Sequence, residues 1–426
     1  MVLPASPITD DGENTLQKKK FHKGTVVSAG KKAMQFSAGD TVYFNYSDGS
    51  RITIEGNEYL LFNQDDLAVV VTSSPAIISI NEKKAPGYFQ EIDKHFGELY
   101  IHKYRKLNDI KVTHISKVNI FSGVNNSGKT SILEAFYLLT QLNDINAYLD
   151  LERYRGKFYN DFHAKWLAKN FINDISISGN FNAASPSLLI SKVDTEEDID
   201  KTNYLTTIKV TAAVNEISLA SNIHLYSNSK PDLRYAKVQI LCPASFTSPY
   251  RYNGSLLHRA HAYAVEEKYF EEVIGFLKKY LDSSIENIDM VSDEGESRFI
   301  VTSTILDKGI DITKYGEGLQ RIFEIALLLR YNTNGILCID EIDSAIHKNL
   351  LVPFTRFIQE AADKFNVQVF ISTHSKECID AFVENGYSND HLTAYALREE
   401  NSRISCKYIE GNRLEQLVEN INFDIR

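Results

Sequence analysis

The stretch VNIFSGVNNSGKTSILEAFYLL, residues 118–139, constrains this chain more than any other. An apolar run of strand type enters a glycine-bearing loop, and an apolar run of helical type leaves it. Glycines let successive backbone N–H groups converge on one anion, and the helix that follows adds the partial positive charge of its N-terminus. Gly123, Gly128, Lys129 and Thr130 meet the spacing GxxxxGK[ST]. In that pattern the lysine reaches the β- and γ-phosphates of a nucleotide and the hydroxyl can ligate Mg²⁺. Candidate nucleotide-binding residues are Gly123, Asn125, Asn126, Ser127, Gly128, Lys129, Thr130 and Ser131, and the expected cofactors are ATP and Mg²⁺.

Three further motifs gain meaning from standing downstream of this loop. In GILCIDEIDSAIH an apolar strand ends on Asp340 and Glu341. Two carboxylates at a strand's carboxyl end sit where open α/β sheets bind ligands. Asp340 is the candidate Mg²⁺ holder and Glu341 the candidate base that orients and deprotonates water. VQVFISTHS puts His374 just past another apolar strand, one helix and one return strand later, within reach of a γ-phosphate. KYGEGLQRIFEIALLL places Gly316 and Gly318 at the start of a helix before the Asp340 strand. On its own each downstream motif has an ordinary reading, as a buried strand's acidic end, a surface histidine or a helix cap.

The texture of the chain changes along its length. Thr25–Ser28, Thr41–Asn45, Arg51–Ile54, Tyr59–Phe62 and Leu67–Val71 are short β-type runs split by turn residues, which predicts a small β-barrel over 1–75. Residues 76–94, with Pro86, read as a linker. From 95 to 426 strands alternate with helices, as in an α/β sheet. Strands are predicted at Lys111–Ile115, Lys117–Phe121, Ile336–Ile339 and Val367–Ser372, and helices at Ser131–Gln141, Leu319–Tyr331 and Asn349–Lys364. Within 142–300 lie further β runs (DISISGNF, TTIKVTAAV and AKVQILCP) and a charged amphipathic helix near Val265–Leu281, read together as a β and helical insertion.

Composition narrows the functional classes. A formal net charge of −10 argues against a chain whose main task is coating nucleic acid or anionic membrane, although Lys103–Lys106 forms a short basic run. The four cysteines, Cys242, Cys338, Cys378 and Cys406, stand far apart with no histidine at zinc spacing, so neither a metal site nor a disulfide framework is expected. No apolar run is long enough to span a bilayer, and the N-terminus lacks the pattern of a signal peptide. A soluble cytoplasmic protein is the expectation.

The four motifs in this order resemble the ABC-type ATPase heads of the SMC, RecF and OLD group, and most nearly the prokaryotic "AAA family" ATPases of OLD type that recur in anti-phage defence. The likeness runs over about residues 95–426. It implies an α/β P-loop head in which ATP is sandwiched at a head-to-head homodimer or higher homo-oligomer. Lys129, Thr130, Asp340, Glu341 and His374 would come from one subunit and Gly316 and Gly318 from the other. Asp343–His347 falls at the family's D-loop, and Gln141 is a candidate for its glutamine loop. Two departures are visible. Tyr315-Gly316-Glu317 lacks the serine usual in the signature loop of transporters, and no carboxylate cluster follows His374 to suggest a nuclease. The run KGTVVSAGKKAMQFSAGDTVYFNYSDGSRITIEGNEYLLFNQDDLAVVV resembles a GroES-type co-chaperonin over about residues 23–71, although upstream only Leu16 stands where that family has an aliphatic triplet.

These resemblances imply an ATP-driven sensor or scaffold in anti-phage defence that answers a phage-derived trigger and controls a separate effector. The alternatives are a DNA-repair ATPase, disfavoured by the acidic charge, and a chaperonin-linked adaptor.

Overall fold

The computed structural model describes strand residues 2–4, 21–26, 41–45, 50–54, 57–61 and 67–71. From residue 87 onward it describes all but 90, 157–163, 196, 198–200, 228–231, 236–237, 251–252, 294–295, 401–402, 422–423 and 425–426. The chain divides into two compact units, Met1–Lys83 and Lys84–Arg426. Leu16 and positions 76–86 of the expected linker lie outside the described residues.

In the first unit every described residue lies in a β-strand. Strands β1 (Val2–Pro4), β2 (Phe21–Val26), β3 (Thr41–Asn45), β4 (Ser50–Ile54), β5 (Asn57–Leu61) and β6 (Leu67–Val71) form one sheet in the order β4-β5-β1-β2-β3-β6. Every pairing in it is antiparallel. β4 and β5 pair antiparallel, with Ile52 opposite Tyr59.

The second unit opens with the hairpin β7 (Phe96–Tyr104) and β8 (Leu107–Val112) and continues into β9 (Val118–Ser122). Helices α1 (Lys129–Gln141), α2 (Ile145–Gly156) and α3 (Ala164–Asn170) follow, then strands β10 (Ile175–Phe181), β11 (Pro186–Val193), β12 (Tyr204–Val214), β13 (Ile217–Tyr226), β14 (Asp232–Tyr235) and β15 (Ala244–Thr247). Next come α4 (Gly254–Glu266), α5 (Phe270–Tyr280), β16 (Ile285–Asp293), β17 (Glu296–Ser303), β18 (Ile310–Asp311), α6 (Ile312–Tyr315) and α7 (Glu317–Tyr331). The chain then runs through β19 (Ile336–Ile339), α8 (Lys348–Lys364), β20 (Gln368–Thr373), α9 (Lys376–Glu384), β21 (Leu392–Glu400), β22 (Arg403–Glu410) and α10 (Gly411–Ile421).

A six-stranded sheet, ordered β15-β19-β20-β9-β21-β22, carries the motif strands. Its first five strands run parallel and β22 closes it antiparallel. Parallel strands covered on both faces need unbroken apolar runs rather than alternation. VNIFS, ILCI and QVFIST satisfy this, since every residue of β9, β19 and β20 is buried. One face is covered by α4, α5 and α7–α10 in a continuous core. On the other face α1 lies between this sheet and a seven-stranded sheet, ordered β14-β13-β12-β11-β10-β7-β8. Phe136 of α1 stacks on Phe370 at 3.8 Å and meets Phe96 edge-on at 5.4 Å, so one aromatic side chain ties both sheets to the helix.

Three expectations need correction. The span 142–300 is not one insertion: β10–β14 extend the sheet begun by the β7–β8 hairpin, while β15 is a parallel strand of the motif sheet. AKVQILCP forms no strand among its described residues beyond a single bridge from Ile240 to Gly87, because Leu241 and Cys242 pack into the core before Pro243. The helix near Val265–Leu281 is two helices, broken at Lys268, whose φ of 56° lies in the left-handed region.

Candidate active site

The carboxyl ends of β9, β19 and β20 meet at one edge of the parallel sheet, with β9 flanked by β20 and β21. Chain continuity therefore delivers the glycine loop, the Asp340–Glu341 pair and His374 to the same place. Within the loop, Gly123 has φ 152° and Gly128 φ 99°. A Cβ at Gly123 would sit 2.5 Å from the Leu397 carbonyl oxygen, and one at Gly128 2.8 Å from Leu107 Cδ2. Gly123 thus needs glycine for close approach to backbone as well as for its angle, whereas at Gly128 the crowding atom is the movable end of a side chain and the backbone angle is the constraint. Asn126 also takes a positive φ, 64°, as its short polar side chain allows.

Lys129 is the first residue of α1. Its Nζ donates to Gly123 O at 2.8 Å and Val124 O at 3.0 Å and lies 3.2 Å from His374 Nδ1. Burial pulls the Lys129 ammonium down to about 8, against the opposing pull of Asp340, Glu341 and Asp343. Next to it, Thr130 Oγ1 donates to Asp340 Oδ1 at 2.9 Å, and Ser372 Oγ donates to the same oxygen at 2.6 Å. A carboxylate and hydroxyls facing one another form an all-oxygen set of the kind Mg²⁺ takes beside phosphate. Among the described residues no cluster of three or more His, Cys, Asp or Glu exists that would hold a metal without phosphate.

Glu341 has φ 47°, an uncommon conformation for a residue with a Cβ. Its backbone N–H donates to Ser372 Oγ at 2.8 Å, and its Oε2 accepts from Tyr250 Oη at 3.0 Å. The carbonyl of the same peptide, Asp340 O, accepts from Arg321 at 2.8 Å. A cavity of about 500 Å³ opens over these groups, lined by Asn125, Asn126, Gly128, Lys129, Thr130 and Ser131 of the loop. Glu341, Ser372 and His374 line its far side, and Arg105 and Lys106 roof it from the β7–β8 turn. Volume, backbone donors and cationic side chains together suit a polyphosphate.

The candidate residues do not all reach the cavity. Gly123, Ser127 and Asp340 lie behind its wall, Ser127 with a buried Oγ that has no partner among the described residues. Gly316 and Gly318 lie outside it. A Cβ at Gly316 would meet open space, whereas one at Gly318 would lie 2.7 Å from Ala345 O. Gln141 ends α1, buried and away from the cavity. Several site residues escaped the sequence reading. Ser372 is one, although it stood in the quoted VQVFISTHS. Tyr250 follows β15, a strand not separated from the insertion, and Arg321 sits in the quoted helix as one more polar residue. Arg105 and Lys106 drew notice only as a basic run.

A family model described as "AAA domain, putative AbiEii toxin, Type IV TA system" matches residues 118–380, from β9 into α9 and through the P-loop, Asp340 and His374. The chain belongs to this AAA-domain family. Its ATPase-family domain is a nucleotide-binding one. A second model, described as "Chaperonin 10 Kd subunit", matches residues 14–71, so the AAA domain follows a GroES-like N-terminal region. An "ATP/GTP phosphatase" of Helicobacter pylori is 21% identical over 383 residues, covering 75% of this chain and 97% of that protein. A "Co-chaperonin GroES" of Thermodesulfovibrio yellowstonii is 37% identical over 54 residues, 13% of this chain and 61% of that protein. Among solved structures, the SMC head domain from Thermotoga maritima superposes with a TM-score of 0.36 at 13% identity, covering 74% of this chain and 99% of that one. Among the described residues no helix is long and apolar enough to cross a membrane.

Proposed function

We propose that this AAA-domain protein binds and slowly hydrolyses ATP, and that the nucleotide gates assembly of two copies head to head. What carries the reading is one cavity lined by Lys129, Thr130, Ser372, Glu341 and His374: Lys129 lies against His374, Thr130 and Ser372 both bond Asp340 behind the wall, and Ser372 also holds the Glu341 N–H. Lys129 exchanges its contacts with the loop carbonyls for β- and γ-phosphate oxygens. Thr130 and Asp340 hold Mg²⁺, which when bound neutralises charge on the phosphates. Glu341 exchanges Tyr250 for a water, orients it in line with the γ-phosphorus and accepts its proton. His374, beside Lys129, steadies the γ-phosphate. Gly316 and Gly318 present the start of α7 to the γ-phosphate held by the second copy, and Gly316, facing open space, leaves room for that approach.

Val124, next in the chain to Asn125 of the cavity lining, and Tyr250, bonded to Glu341, are 64% and 79% exposed, which supports a second copy docking over the site. The family description, which names a toxin of a type IV system, and the resemblance to defence ATPases support a role in anti-phage defence. On that reading a phage-derived trigger acts on the heads and a separate effector receives the signal, with the GroES-like region serving assembly. The test is nucleotide binding and turnover in three proteins. Wild type binds and hydrolyses ATP, Lys129→Ala loses binding, and Glu341→Gln binds but turns over at least ~100-fold more slowly. Equal turnover in wild type and Glu341→Gln would remove Glu341 from the mechanism.

A further inference from the structure

Helix α7 sends a charged side chain into the core beneath the site. Arg321 is 4% exposed, and its NH1 donates to Thr247 Oγ1 at 2.5 Å and to Glu324 Oε2 at 3.2 Å. Thr247 in turn donates to Glu324 Oε1 at 2.7 Å, closing a small ring of bonds. The other guanidinium nitrogen, NH2, donates to Asp340 O at 2.8 Å. That carbonyl belongs to the peptide whose N–H, on Glu341, is held by Ser372. The peptide plane between the two carboxylate residues is therefore gripped at both ends, by α7 on one side and β20 on the other. Immediately after it the chain takes the left-handed turn at Glu341, a conformation that persists only where its surroundings enforce it.

A buried ion pair is an expensive way to fill space, since well-packed apolar residues of similar volume are as stable or more so. The pair here also reaches out to a backbone group next to the candidate base, which packing alone does not require. Arg321 lies one helical turn beyond Gly318, and Gly318 packs against the Ala345 carbonyl. The start of α7 thus touches the chain on both sides of Glu341, at Asp340 and at Ala345.

We propose that Arg321 is a positioning residue for Glu341: it fixes the Asp340–Glu341 peptide and ties the aim of the carboxylate to the Gly316–Gly318 loop. It does not line the cavity, so its effect falls on turnover rather than on binding. The inference rests on Glu341 acting as the base. When a second copy's phosphate docks on the Gly316–Gly318 loop, any tilt of α7 is delivered through the guanidinium to the peptide that aims Glu341. Hydrolysis is thereby linked to dimer closure.

The test is a kcat and KM comparison of wild type, Glu341→Gln, Arg321→Lys and the charge-neutral double variant Arg321→Gln/Glu324→Gln. The double variant leaves no uncompensated buried charge, which would itself unfold the site. Expected is a cooperative melt, affinity for a fluorescent ATP analogue within about threefold of wild type, and kcat lowered about 10- to 100-fold, the scale of a small misplacement of a catalytic group. Arg321→Lys, which keeps a charged donor toward Asp340 O, recovers part of kcat. Wild-type kcat in a double variant that binds ATP normally overturns the role of Arg321 while leaving Glu341 in place. Loss of binding, turnover and melting temperature together overturns it too, since that is what a purely structural pair would give. Turnover that survives Glu341→Gln overturns the catalytic reading and this inference with it.

Discussion

Raising the pH through about 8 is expected to loosen the grip of this site on ATP, because that is where the Lys129 ammonium, pulled down by burial, gives up its proton. Bound phosphates stabilise the ammonium and raise its pKa, so nucleotide prefers the protonated site. Affinity is complete below the pKa of the free site and falls as pH rises past it. With that pKa at about 8, binding weakens by about twofold at pH 8 and about tenfold at pH 9, since each pH unit above it is a factor of ten. The assay is calorimetric titration of ATP with Mg²⁺ from pH ~7.5, where the terminal phosphate is already ionised, to ~9.5. Buffers of different ionisation enthalpy make the proton uptake directly visible. Lys129→Gln supplies the control, with weak binding that no longer depends on pH in this range. A wild-type affinity flat from ~7.5 to ~9.5, or an equal slope in Lys129→Gln, would refute the assignment of the lowered pKa to this lysine.

Other substitutions probe the neighbouring geometry. Gly318→Ala places a Cβ 2.7 Å from Ala345 O and is expected to cost about 1–3 kcal/mol in chemical denaturation. Gly316, whose Cβ would meet open space, is not crowded in this way. Phe136→Ala, which removes the ring stacked on Phe370, is expected to cost about 3–5 kcal/mol by the same assay, and a loss under ~1 kcal/mol would contradict the packing described. Thr130→Val keeps the shape of α1 but removes the hydroxyl that faces Asp340. It is expected to raise the Mg²⁺ concentration needed for half-maximal turnover about 10- to 100-fold, and an unchanged Mg²⁺ dependence would separate Thr130 from the metal.

The parts of this molecule legible in sequence are those whose pattern follows from a local rule. Buried parallel strands must be apolar throughout, so β9, β19 and β20 announced themselves, and their carboxyl ends carried Gly123, Asp340 and His374 with them. The helices α1, α7 and α8 were found within two residues because apolar periodicity persists over several turns. Interactions fixed only by tertiary packing were not legible. Nothing local marks Ser372 as the hydroxyl shared by Asp340 and the Glu341 N–H, or Arg321 as the clamp on their peptide. Tyr250 is 79% exposed and has no periodicity to betray it, yet it bonds Glu341 of the cavity lining. β15 went unnoticed because a four-residue parallel strand borrows its identity from β19 beside it. The single helix expected near Val265–Leu281 failed where a left-handed residue, Lys268, interrupts an otherwise helical pattern.

If two copies close over ATP as proposed, the particle mass of Glu341→Gln depends on whether ATP and Mg²⁺ are present. With hydrolysis blocked, the closed state accumulates, and light scattering is expected to show an ATP-dependent doubling from the mass of the nucleotide-free assembly, each chain weighing 48.3 kDa. Lys129→Ala in the same measurement stays at the starting mass. A Glu341→Gln protein that carries bound ATP at an unchanged mass would contradict the sandwich and leave the site to work within one chain.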